Sequence, residues 1–319
     1  MGPHDMNTAD DHSLSLKLKP QTPCVAVDWG TSSLRIWSLS ADGDILDRFS
    51  GSLGMSGLAP HDFERVLETQ LKRMSVGPEI PAVICGMAGA AQGWVEAPYV
   101  SAPTALSQLG SRAVQVPGTQ RQVHILPGIK QLSPANVMRG EETQLLGLLT
   151  KQPELDAVVC LPGTHSKWVE VRNGCVERFT TCMTGEIFGL LSGQSVLKHS
   201  LVDEGWDTQA FNDTLIETIE APEHFANALF SLRADRLLSG LSSAKARARL
   251  SGLLVGIELA ATRTYWEHKQ VILLGDTELC SHYADALTLQ SVAVELADSE
   301  ATTLAGLCSA FKQRQEIQS

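Results

Sequence analysis

Positive charge is in deficit: 25 Lys and Arg stand against 36 Asp and Glu, a formal charge of −11 over 319 residues. A polyanion needs a basic footprint, so neither nucleic acid nor an anionic membrane is an expected partner. A nucleotide is not excluded, because backbone amides, Mg²⁺ and one or two local cations are enough to hold one. The seven cysteines are an odd number without a CxxC, and several sit in apolar runs where Cys acts as a small hydrophobe. Neither a disulfide framework nor a zinc site is expected. No apolar run approaches 18 residues, and residues 1–20 have no apolar centre, so neither a membrane span nor a signal peptide is expected. These absences lead to a cytoplasmic protein with a loose tail over residues 1–21.

What is present is ordinary globular composition, 43% hydrophobic and 19% charged. A chain of 319 residues exceeds one comfortable core and suits two domains. Cys24–Val27, Leu34–Leu39 and Ile45–Ser50 read as strands joined by Asp28–Ser33 and Ala41–Asp44, an antiparallel meander. It is not the opening of a Rossmann unit, where a helix follows the glycine loop at once. The pattern predicts a helix over Asp62–Met74, strands at Ala82–Cys85 and His124–Leu126, and a helix over Arg139–Leu149. Lys151–Glu154 is polar and Pro-containing and reads as the boundary between lobes at 22–152 and 153–319. Beyond it the order restarts, with strands at Ala157–Leu161, Lys167–Arg172 and Cys175–Thr181. A mainly helical stretch leads to a strand at Gln270–Leu274, then a helix, a strand at Ser291–Val294 and a helix over Thr302–Gln315. The expected fold class is therefore α/β, duplicated and two-lobed, with an interdomain cleft.

Phosphoryl transfer requires backbone N–H groups around phosphates, carboxylates or waters for Mg²⁺, and a base beside the acceptor hydroxyl. Three segments suit that chemistry. In Asp28-Trp29-Gly30-Thr31-Ser32-Ser33 a carboxylate ends an apolar strand and is followed by a turn rich in donors; a plain Asx-type turn would look the same. Pro162-Gly163-Thr164-His165-Ser166-Lys167 stands at the equivalent place in the second half, where an ordinary hairpin turn is the alternative. Gly275-Asp276-Thr277 joins a strand to a helix and offers a bare helix start. Lys167 itself reads as an exposed strand lysine or a phosphate contact. His199, His224, His268 and His282 are scattered without ligand spacing, and Lys245, Arg247 and Arg249 read as a solvated helical face.

V-A-V-D-W-G-T-S-S-L-R, L-P-G-T-H-S-K-W and I-L-L-G-D-T resemble the phosphate-1, phosphate-2 and adenosine motifs of the actin, hexokinase and heat-shock ATPase superfamily. Gly86–Tyr99, Asn136–Gly147, Pro162–Val169, Met183–Glu186 and Ser251–Glu258 are similar in order and spacing to the 2-dehydro-3-deoxygalactonokinase family. One departure is that Asp276 stands where the wider superfamily usually has a second Gly. The resemblance implies a ribonuclease H-like (actin-like ATPase) fold, with ATP and Mg²⁺ as cofactors. It also implies transfer of phosphate to the 6-hydroxyl of 2-dehydro-3-deoxy-D-galactonate. Asp28 would orient Mg²⁺, with Gly30, Thr31 and Ser32 by the transferred phosphate. Gly163, Thr164 and His165 would meet the β- and γ-phosphates, and Gly275 and Asp276 the adenosine. The catalytic base would be Glu141 or Glu142 at a helix start, where a like-charge pair tends to raise one pKa. A sugar acid also needs a cation for its carboxylate, and Arg139 and Arg35 are the candidates. Arg35 reads equally well as a structural partner of Asp28. Gly89 and Trp94 belong to the expected substrate wall, although Trp94 also suits core packing. Two other readings use the same loops: an exopolyphosphatase-like phosphohydrolase and a nucleotide-dependent binding module. A homodimer is compatible with the sequence.

Overall fold

The computed structural model describes residues 23–201 and 205–318, so the tail expected over residues 1–21 lies outside the described residues. The first half opens with β1 (Cys24–Trp29), β2 (Leu34–Leu39) and β3 (Ile45–Gly51) in the expected antiparallel meander. After α1 (Asp62–Arg73), β4 (Ala82–Gly86) pairs parallel to β1. The short strands β5 (Val100–Ser101), β6 (Thr104–Ala105) and β7 (Val114–Gln115) lead to β8 (Val123–Ile125), which pairs parallel to β4. A hairpin of β9 (Ile129–Leu132) and β10 (Ala135–Met138) then runs into α2 (Glu141–Leu149).

The second half repeats this plan. β11 (Ala157–Leu161), β12 (Ser166–Arg172) and β13 (Cys175–Cys182) form another meander. The helices α3 (Thr184–Gln194), α4 (Thr208–Glu220), α5 (Phe225–Leu238), α6 (Ser243–Ala261) and α7 (Arg263–Trp266) follow. Last come β14 (Val271–Leu274), α8 (Thr277–Leu289), β15 (Val294–Ala297) and α9 (Ser299–Gln318). The sheets read β3-β2-β1-β4-β8-β7 and β15-β14-β11-β12-β13-β6. Each is a three-strand meander extended by two parallel strands in the same order, the signature of a duplicated unit.

The apolar runs make the central strands because both their faces are covered. Cys24 and Ala26 of β1 face a core between the two sheets, while Val25, Val27 and Trp29 face one under α1. The core between the sheets also holds Leu145 and Leu146 of α2, Leu307 and Phe311 of α9, and Val159, Leu161 and Val169 of the second sheet. Thus α2 and α9 lie between the sheets, and α9 returns from the end of the chain to pack on β1 and β4. The polar stretch expected as a boundary, 151–154, lies between α2 and β11, yet β6 pairs across it with β13.

Three expected elements shift by two residues or more; the last helix, expected over Thr302–Gln315, spans Ser299–Gln318. Ser291 has φ +60°, and the N–H groups of Gln290 and Ser291 reach the carbonyls of Leu287 and Thr288, closing α8. The last strand therefore starts three residues later, at Val294. The helix expected from Arg139 starts at Glu141, because Gly140 sits at φ +109°, a conformation that side-chain-bearing residues avoid.

Candidate active site

Asp28 stands opposite Arg35 in the β1–β2 register. Arg35 donates to Asp28 Oδ2 from Nε at 3.0 Å and from Nη2 at 2.5 Å, which offsets the desolvation of a half-buried carboxylate. Asp28 Oδ1 faces the Cys85 thiol, 3.7 Å away. Arg35 thus makes the pairing with Asp28 that one of its two expected roles requires. The tip that follows exposes Thr31 and Ser32. Its shape is held from behind, where Met55 and Ser56 donate their N–H groups to the carbonyls of Gly30 and Thr31, each at 3.0 Å.

The two glutamates at the start of α2 diverge. Glu142 is 0% exposed, and both its oxygens accept the Gly140 N–H at 2.9 and 2.8 Å. Burial, then the neighbouring Glu141, pushes its carboxyl up to about 8. The Glu141 side chain keeps 24% of its surface exposed. Its Oε2 accepts the Arg139 N–H at 2.9 Å, and its Oε1 lies 3.2 Å from Lys167 Nζ. Lys167 is not an exposed strand lysine: its side chain is 6% exposed, and Nζ also donates to the His165 carbonyl at 3.1 Å. One buried cation thus ties the β11–β12 hairpin of the second half to the first turn of α2.

Gly163, Thr164 and His165 form the turn of that hairpin, with Thr164 and His165 exposed. The Met183–Glu186 segment braces it. His165 Nε2 meets Glu186 Oε2 at 2.5 Å, and a Cβ on Gly185 would lie 2.4 Å from the Gly163 carbonyl oxygen. Gly275 packs on Pro162, and Asp276 caps α8 by accepting the Leu279 N–H at 3.1 Å. A cavity of about 300 Å³ opens between Gly163, Asp276, Phe188, Trp206, Arg247 and Tyr283. Trp206 and His282 stack in its wall with ring centroids 4.0 Å apart. Arg247 was expected on a solvated helical face, and His282 with no ligand role. The cavity draws on the β11–β12 turn, α3, α6, α8 and the stretch before α4, and no sequence spacing announces such a meeting.

Arg139 lies on the first-half side of Glu141. Its Nη2 donates to the Ala97 carbonyl at 2.8 Å and its guanidinium rides 4.3 Å from the Tyr99 ring, while Nε and Nη1 are buried without a protein acceptor. Gly89 abuts that guanidinium: a Cβ there would lie 2.8 Å from Nη1. Trp94 instead packs beside Phe63 (centroids 6.1 Å apart) and Trp29 (6.3 Å), in the core under α1. Gly89 and Arg139 are thus brought together, and Trp94 packs in that core.

Comparison with known proteins gives the family. A family description of 2-keto-3-deoxy-galactonokinase matches residues 28–310. The chain belongs to that family. A curated relative from Rhizobium meliloti, named a probable 2-dehydro-3-deoxygalactonokinase, is 41% identical over 293 residues, covering 90% of this chain and 96% of that one. The Escherichia coli 2-dehydro-3-deoxygalactonokinase is 32% identical over 290 residues, covering 89% and 96%. A crystal structure of a Sinorhizobium meliloti protein described as a 2-dehydro-3-deoxygalactonokinase superposes with a TM-score of 0.86 at 40% identity, covering 90% of this chain and 97% of that one. The fold is the actin-like ATPase fold. Lys167 links the start of α2 to the β11–β12 turn, and Gly163 of that turn borders the cavity beside Asp276.

Proposed function

We propose that the protein transfers the γ-phosphoryl group of ATP to the 6-hydroxyl of 2-dehydro-3-deoxy-D-galactonate, with Glu141 as the general base. The observation that carries this reading is the pairing of a partly exposed Glu141 with an Arg139 whose buried Nε and Nη1 have no protein acceptor. A sugar-acid carboxylate satisfies those donors and brings its distal hydroxyl toward a carboxylate able to take the proton. Glu142 has no exposed surface and holds the Gly140 N–H, so its part is to fix the turn that presents Glu141. The adenine fits the cavity lined by Trp206 and Arg247, and the phosphates run from Gly163–His165 toward Gly30–Ser32.

The donor set suits Mg²⁺ held chiefly by nucleotide phosphates and water. Asp28 presents one oxygen away from Arg35, and the described residues contain no cluster of three or more metal-ligating side chains. Bound there, Mg²⁺ supplies neutralisation of phosphate charge. The chain's own residues do the rest: Asp28 orients, the hairpin amides cradle, Glu141 removes the proton, and lobe closure excludes water. Seven free thiols and the absence of a membrane-crossing helix among the described residues support a cytoplasmic setting.

The test is coupled ADP release with ATP–Mg²⁺ and each of the galactonate- and gluconate-type 2-keto-3-deoxy acids, beside a control without sugar. Turnover on the galactonate-type acid alone is the expected result. ADP release of equal size without sugar would replace the kinase by a phosphohydrolase. Arg139→Met is expected to raise the KM for the sugar acid by about 10- to 100-fold, the loss of charge-assisted hydrogen bonds. The KM for ATP stays put; steady-state kinetics varying each substrate in turn checks both.

A further inference from the structure

Glu258 lies on α6, in the Ser251–Glu258 segment, and no step of the proposed reaction uses it. It is 2% exposed, and burial pushes its carboxyl up. A buried acid of this kind is retained at a stability penalty unless its oxygens are fully engaged. They are engaged with three separate elements. Oε1 accepts the Trp168 indole N–H of β12 at 2.8 Å. Oε2 accepts the Tyr283 hydroxyl of α8 at 2.8 Å, and also the hydroxyl of Thr184 at the start of α3. Tyr283 continues the network to Ser166 Oγ, 3.1 Å away, at the end of the β11–β12 turn.

The partners are the frame of the nucleotide site. Thr184 and Tyr283 both line the cavity beside Asp276. Thr184 immediately precedes Gly185, whose lack of a side chain lets α3 touch Gly163 and Thr164, and Glu186, which holds His165. Ser166 and Trp168 belong to the strand that leaves the same turn. We propose that Glu258 is a positioning residue for the nucleotide, a single carboxylate that fixes the phosphate-binding turn relative to the base cavity. This rests on the reading of that cavity and turn as the ATP site. A positioning role predicts that losing the carboxylate loosens nucleotide binding and leaves the sugar-acid side, built on the other half of the chain, as it was.

Glu258→Gln keeps the volume but removes one acceptor oxygen. An amide nitrogen accepts from neither Thr184 nor Tyr283, and turned the other way it opposes the Trp168 N–H. The expected result is a KM for ATP raised about tenfold, with ADP affinity by calorimetry falling in parallel. The KM for the sugar acid is unchanged. Thr184→Val, deleting the bond to Glu258, and Tyr283→Phe, deleting the bonds to Glu258 and Ser166, move the same two quantities about two- to fivefold. They decide the matter alone should Glu258→Gln fail to fold. A lower Tm with ATP KM and ADP affinity unaltered, or an equal rise in both KM values, overturns the proposal. Failure of the ATP-site reading would look different: the unaltered protein would bind no ADP.

Discussion

Replacing Glu141 with Gln is expected to lower kcat by about 10²–10⁴-fold, the usual contribution of a positioned base. KM for both substrates should hold, because the amide keeps the size of the side chain and its hydrogen bond from the Arg139 N–H. Rapid-quench measurement of the phosphorylated acid separates this from a slower product release. Glu142→Gln supplies the contrast. It leaves the exposed carboxylate beside Lys167 in place, so turnover persists, and the change appears in stability instead. The Glu142 carboxyl titrates near 4.5 when unfolded and about 8 when folded. Its contribution is thus intact below pH ~4.5 and declines as pH rises toward 8, where the folded state must ionise a buried acid. Glu142→Gln removes that decline, so urea midpoints at pH 5 and pH 8 should differ less in the variant than in the parent. Loss of turnover in Glu142→Gln with Glu141→Gln active would reverse the two assignments.

The second large effect lies where α2 packs against α9. A Cβ on Gly147 of α2 would fall 1.8 Å from the Thr302 carbonyl oxygen of α9, and one on Gly306 of α9 would fall 1.9 Å from that of Thr143. Both obstacles are backbone, so no rotamer change relieves them, and the helices must separate. Gly147→Ala and Gly306→Ala are each expected to destabilise by about 3 kcal/mol, at the upper end of overpacking effects. They should also lower kcat, since α2 carries Glu141 at its first turn. Gly189→Ala is the control: α3 is helical there and a methyl meets nothing within 4 Å, so the substitution is expected to stabilise by about 0.5–1 kcal/mol. Urea denaturation of the three variants checks the ranking, and an unchanged midpoint in Gly147→Ala would mean that the helices are not in such close contact.

The duplicated meanders were readable because each is local: an apolar run, a polar turn containing Gly, and a second run whose partner is next in sequence. The same holds for the Asp28 and Gly163–His165 turns. What escaped the sequence depends on partners distant along the chain. Lys167 reads as a strand residue of alternating exposure until α2 is laid across it. Glu141 and Glu142 are indistinguishable as letters, yet a step of about 100° around the helix axis turns one toward the cleft and the other into the core. The β9–β10 hairpin was missed because its strands are short and half exposed, and the base cavity because its walls come from five separate stretches.

The position of α9 bears on how the chain is made. A ribosome delivers β1 long before α9, yet Cys24 and Ala26 share their core with Leu307 and Phe311. Until the residues after Ser299 emerge, the inner face of the first sheet has no α9 to close against. The inner face of β1 is thus sealed only by a helix made about 270 residues after it.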